Sequence, residues 1–182
     1  MENRFPCAKC GNCCKRLGKG DWTGISLFPW ETHLFPKDAV KPNLGLGGAP
    51  DDPGFKTLLY LYDSSACIHI DDDWCLIHDQ RPVVCRSYPF RMAIKGEGEM
   101  IYEVAPECSA IKSWPVKQTI AQRYEEMDAA ELIGEHLQRF YKSDKPKWRY
   151  DKHQWTKLER VKSTQPLNHL PVDIRRGHKD GL

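Results

Sequence analysis

The sequence predicts a small, loop-rich α+β fold, with short strands set around a cysteine-ligated metal centre and one long helix towards the C-terminus. Three observations carry this. Thirteen Pro and 13 Gly among 182 residues cut the chain into short segments, because Pro removes a backbone donor and Gly weakens regular elements. Helical periodicity is sustained in only one stretch, from about residue 114 to residue 142. All eight Cys precede residue 110 and fall in two dense blocks.

The bulk numbers set the class. A chain of this length suits one domain with an extension and can bury a core. It is 40% hydrophobic, with six Trp and seven Tyr, a composition too apolar for a wholly disordered protein. No run approaches the length of a membrane span. Met-Glu-Asn-Arg-Phe-Pro at the start carries no apolar leader, so the expected location is cytoplasmic and no membrane partner is expected. In a reducing compartment thiols are spent on metals in preference to disulfides.

The first element is a knot of thiols, Cys7-Ala-Lys-Cys10-Gly-Asn-Cys13-Cys14. Two tandem CxxC steps bring three sulfurs around one turn of chain, and Gly11 permits backbone angles that other residues resist. Bacterial iron–sulfur proteins share the Cys-x2-Cys-x2-Cys spacing, but there the next Cys follows three residues later. Here Cys13 and Cys14 adjoin. Neighbouring side chains of extended chain face opposite ways. The pair is therefore expected to divide between two sites, or to set one ligand beside a second, reactive or supporting thiol.

Residues 23–28 (TGISLF) read as a short strand, and Pro29-Trp30-Glu31 opens a short helix to about Leu34. Residues 36–53 are rich in Pro, Gly and Asp and predict a long loop. Within it, Asn43 to Gly48 resembles a phosphate-binding glycine loop only superficially, since Ala-Pro-Asp-Asp-Pro follows where a helix is needed. Residues 55–62 (FKTLLYLY) form a strand. Asp71, Asp72 and Asp73 then make a turn between two short arms carrying Cys67 and Cys75. A further strand covers Met100 to Val104 and leads to Cys108. The long helix starts at Trp114-Pro115 and runs to about Lys142, with Ile120, Tyr124, Met127, Ile133, Leu137, Phe140 and Tyr141 on its apolar face. Gly134 is its weak point, and Asp128 marks a candidate break.

Four thiolates complete a structural zinc site or hold one iron–sulfur cluster. Cys7, Cys10, Cys13, Cys14, Cys67, Cys75, Cys85 and Cys108 therefore allow two four-sulfur sites, each joining the N-terminal knot to the later block. Such joints make metal binding part of folding. His33, His69 and His78 are left out of the ligand set, because a lone His near a Cys more often packs beside a site than binds in it. Arg81, Arg86 and Arg91 bracket Cys85, and Lys9, Lys15 and Arg16 flank the knot. Cations so placed lower thiol pKa values, or pair with Asp71, Asp72, Asp73 and Asp79. The expected cofactor is zinc or an iron–sulfur cluster. Close thiol spacing and nearby cations tilt the choice slightly to iron–sulfur.

Cys7-x2-Cys10-Gly-x-Cys13-Cys14, Cys75-x-Ile77 and Arg81-Pro82-x2-Cys85-Arg86-x-Tyr88-Pro89-Phe90 together resemble the CxxCxxCC, or YkgJ-type, cysteine-cluster family. That resemblance covers roughly residues 7–110, including the strand at Ile25 and the helix after it. It implies a zinc- or iron-chelating domain. It also implies a relation to flagellin lysine N-methylases, and so a candidate role as a protein-lysine N-methyltransferase using S-adenosylmethionine and an iron–sulfur centre. Position 78 departs from the pattern, with His where similar proteins often carry Tyr.

The expected division is residues 1–142 as the cysteine-cluster domain with its packing helix, and 143–182 as a basic C-terminal extension. From Lys142 onward there are 11 Lys/Arg against five Asp/Glu, whereas the first 141 residues carry a net −4. Trp148, Tyr150 and Trp155 lie among these charges. They suit packing onto the domain better than binding nucleic acid, for which no motif is present. Three functions compete: a metal-binding module, a methyltransferase acting on a protein substrate, and an interaction module whose tail meets an acidic partner or nucleic acid.

Overall fold

The structure is a computed structural model that describes residues 3–15, 17, 24–95, 99–105, 107–112 and 122–158. Its architecture is α+β, as the sequence predicts. Five antiparallel strands form one sheet in the order β1-β3-β2-β8-β9. These are β1 (Ile25–Leu27), β2 (Val40–Leu46), β3 (Lys56–Tyr62), β8 (Lys147–Asp151) and β9 (Gln154–Lys157). Two separate hairpins lie between them in sequence, β4 (Ile70–Asp71) with β5 (Trp74–Cys75), and β6 (Phe90–Lys95) with β7 (Glu99–Val104).

Strand β3, between β1 and β2, is where the apolar run FKTLLYLY predicts it, pairing Tyr62 with Ile25 on one side and with Val40 on the other. Strand β2 is a correction, since it occupies residues assigned above to a long loop. Pro42 and the glycines mask it in the sequence. Gly45 is required there because the Phe55 ring lies 2.2 Å from where a Cβ would stand, with Trp155 at 3.0 Å. Aromatic rings thus occupy the space over the bare backbone, next to the register shifts at Pro42/Leu44 and Leu44/Gly45. On its other side β2 pairs with β8, Gly45 opposite Trp148, and the Trp148 indole donates to the Gly47 carbonyl at 3.2 Å. Residues 147–157 thus add a hairpin to the sheet from beyond residue 142.

The long helix is α4 (Glu125–Lys142). It begins later than predicted: residues 122–124 are not helical, and the expected start at Trp114-Pro115, with Ile120, lies outside the described residues. Asp128 sits inside the helix and breaks nothing. Gly134 is the point of closest approach to β6, with Met92 Cβ 2.8 Å from the position of an added Cβ. Among the described residues no helix is long and apolar enough to cross a membrane.

Two cores result. One gathers Phe5, Phe90, Met92, Val104, Ile111, Tyr124 and Met127 between the β6–β7 hairpin and α4, and includes Cys108. The other gathers Leu17, Ile25, Leu27, Phe35 and Tyr62 over the sheet, and includes Cys67, with Cys14 and Cys85 packed against it. The thiols lie where these two cores meet.

Candidate metal centre

The N-terminal knot is held in place from both ends. Gly11, at φ +61°, makes the left-handed turn that starts the short helix α1 (Asn12–Lys15), and its carbonyl accepts from Cys14 and Lys15 N–H at 2.9 and 3.0 Å. A side chain at Gly11 would meet Asp73 Cα at 3.1 Å and Ile70 Cδ1 at 3.2 Å, so the glycine serves both the turn and the close approach to the β4–β5 hairpin. Cys67 N–H donates to the Cys14 carbonyl at 2.9 Å. Lys15 pairs with Asp73, and the Lys9 ammonium stands 5.3 Å over the Trp74 ring. Upstream, Phe5 makes edge contacts with Phe90 and Tyr124, both at 5.5 Å.

Cys85 is placed by a second device. It lies on helix α2 (Val83–Ser87), whose first N–H groups need acceptors. Glu31, only 5% exposed, supplies one: its Oε1 accepts from Val83 N–H at 2.7 Å and its Oε2 from Phe28 N–H at 2.8 Å. One buried carboxylate therefore ties the helix after β1 to the helix carrying Cys85.

Six thiols gather around a cavity of about 130 Å³: Cys7, Cys13, Cys14, Cys67, Cys75 and Cys85, with Arg81 and Tyr88 in the same wall. Cys13 and Cys14 sulfurs are 3.9 Å apart. Cys14 is hydrogen-bonded to both Cys13 and Cys67. This hydrogen bonding, ahead of burial, holds Cys14 protonated, while it lowers Cys13 to about 7 and Cys67 to about 6. Arg81 adds a smaller pull on Cys13. Burial, the larger cause, pushes Cys75 and Cys85 up, and the charge on Cys67 and Cys13 pushes the same way. Thiolates at Cys13 and Cys67 are the form that binds metal.

The remaining thiols form a second group. Cys10 reaches the Ser109 hydroxyl at 3.4 Å, beside Cys108. Cys108 is held up by burial first, with Cys7 and Cys10 as its interacting thiols. Burial pushes Tyr88 up, and the charges of Cys108 and Cys13 push the same way. The two groups are neighbours. They divide six and two, with Cys10 and Cys108 outside the cavity wall.

His33 and His69 are not in the cavity wall, whereas His78 is. His69 Nε2 lies 2.7 Å from the Leu34 carbonyl. His78 stacks on Trp74 at 5.0 Å, and His33 is exposed. Of the flanking cations, Arg81 acts on the thiols. Lys9 and Lys15 are engaged with the hairpin, Arg86 is exposed, Arg91 pairs with Glu107 at 3.4 Å, and Arg16 is outside the described residues. Sequence reasoning missed Glu31 and Tyr88 as parts of the site. Tyr88 stood inside the quoted motif, but Glu31 had no signal beyond its place in the first turn after Pro29.

The donor set suits thiophilic zinc or iron. Soft sulfur donors from several chain segments face one cavity, two of them with lowered pKa values, and two cations, Lys9 and Arg81, share its wall. Among the described residues no three Cys, His, Asp or Glu side chains stand at the spacing of one ion's ligands.

Residues 6–109 match the family profile described as "CxxCxxCC: Putative zinc- or iron-chelating domain". The chain belongs to the CxxCxxCC family. Its CxxCxxCC domain holds every one of the eight Cys. An uncharacterized protein of Methanocaldococcus jannaschii is 24% identical over 137 residues, covering 72% of this chain and 44% of its own length. The chain thus spans less than half of that relative. No solved structure matches it.

Proposed function

We propose that this CxxCxxCC domain chelates zinc or iron through Cys7, Cys10, Cys13, Cys14, Cys67, Cys75, Cys85 and Cys108, and that the bound metal ties its two cores together. The observation that supports this most is the convergence of Cys13, Cys14, Cys67, Cys75 and Cys85 on one cavity from the knot, the β4–β5 hairpin and α2. Thiols brought together from distant segments make metal affinity and folding one equilibrium.

Between the metals the reading leans to an iron–sulfur cluster, whose anionic core suits a pocket with Arg81 in its wall. The test is purification without oxygen, followed by a visible spectrum and assays of zinc, iron and acid-labile sulfide per chain. Broad visible absorption with matched iron and sulfide supports the cluster; a colourless chain with stoichiometric zinc supports zinc. Less than one metal per chain after reconstitution overturns chelation itself.

A further inference from the structure

We propose that two contacts, Lys9 on Trp74 and Lys15 with Asp73, latch the N-terminal knot onto the β4–β5 hairpin and set the rate at which small molecules and metal ions reach the cavity thiols. The metal half of this rests on the chelation reading above.

The mouth of the cavity lies at this seam. The exposed residues of its wall are Cys7, Lys9 and Cys13 from the knot and Asp73 and Trp74 from the hairpin. Behind them, Cys14, Cys75 and Cys85 are half-buried and Cys67 is buried. Across the mouth the Lys9 ammonium stands 5.3 Å over the Trp74 ring, and Lys15 pairs with Asp73. Gly11 lets the two sides come close, since a side chain there would meet Asp73 Cα at 3.1 Å.

The hairpin depends on these contacts. Among the described residues β4 and β5 pair only with each other, Ile70 with Cys75 and Asp71 with Trp74. A hairpin so short has little stability of its own. On the knot side, Lys9 reaches the ring from a left-handed backbone, φ +49°, which few residues other than glycine adopt. The latch is itself exposed, the Lys15 and Asp73 side chains keeping 44% and 61% of their surface. Exposed ion pairs and cation–ring contacts are weak, and salt screens the former. The seam is therefore held shut by interactions small enough to break often. Its flanks are firmer, with Phe5 packed on Phe90 and the Cys14 carbonyl bonded to Cys67 N–H.

Alkylation of the reduced, metal-free full-length chain with iodoacetamide, followed cysteine by cysteine by mass spectrometry, tests the latch without any metal. Lys15→Gln and Asp73→Asn should each speed reaction at Cys14, Cys67, Cys75 and Cys85 by about two- to fivefold, the range an exposed ion pair supports. The double variant should add nothing further, because both changes remove one interaction. High salt should bring the wild type to the level of these variants. Trp74→Leu removes the other contact and should act in the same direction. Cys108 is buried, lies outside the cavity wall and immediately precedes the short helix α3 (Ser109–Lys112), so it reports opening of the whole fold; its rate should not change. Equal acceleration at Cys108, additive effects of the two charge variants, or unchanged rates at the four inner thiols overturns the latch. In the zinc-reconstituted chain, release to excess chelator should quicken by the same factor, and unchanged release overturns the metal half. A chain that binds no zinc overturns chelation, while the alkylation rates still decide the latch.

Discussion

A carboxylate taken out of water must find donors to replace the ones it gave up. Glu31 finds them in two backbone N–H groups, those of Phe28 and Val83, the latter 52 residues away in sequence. Glu31→Gln keeps the shape but turns one acceptor into a donor that faces an N–H. The expected cost is about 1–3 kcal/mol, read as a lower denaturant midpoint at unchanged slope. Because Val83 begins the helix that carries Cys85, metal retention should fall as well. A variant as stable and as fully loaded as the wild type would contradict this role. The cysteines were legible in the sequence because a thiol announces its chemistry wherever it sits. Glu31 was not, since its partner belongs to a segment that only folding brings near.

The elements follow the same logic. Strand β3 shows itself as an apolar run, while β2 hides behind Pro42 and glycines whose reason is the rings of Phe55 and Trp155. Strand β6 was missed although Phe90 and Met92, at 0% and 7% exposure, carry the two-residue alternation of a half-buried strand. Helix α4 was found by its period, but its start at Glu125 was not. Gly134 within it sets two effects against each other. In an exposed helix Gly→Ala stabilises by up to about 1 kcal/mol; here the new methyl meets Met92 Cβ at 2.8 Å, a strand atom that cannot swing aside. Overpacking of this kind costs about 1–3 kcal/mol, so Gly134→Ala is expected to destabilise, and a raised melting temperature would refute the close packing. His136, on the same helix, lies 4.7 Å from the Phe28 ring. Burial first, then Arg139, lowers its pKa, against a smaller opposite effect of Glu135. The neutral ring is therefore the folded form. Its stabilising share is whole above the ordinary value of about 6.5 and is lost as pH falls through the lowered one. The melting temperature should drop more steeply below pH 6.5 in the wild type than in His136→Gln; parallel profiles would remove His136 from the account.

At the scale of the molecule, the knot at residues 7–14 closes the fold. Its Gly11 and Lys15 contact the β4–β5 hairpin, and Phe5 seals it to Phe90 and Tyr124, so its sulfurs stand where the two cores meet. Four Cys packed within eight residues already pointed to a metal. What the sequence could not apportion was the division, because which thiols share the cavity wall depends on which loops fold back together. Metal at that junction would link elements from both cores, and this is the central claim. X-ray absorption at the metal edge of the anaerobically prepared full-length chain tests it most directly. The account predicts a first shell dominated by sulfur at about 2.3 Å, diminished in Cys85→Ser. A shell of nitrogen or oxygen at about 2.0–2.2 Å, without sulfur, would contradict it.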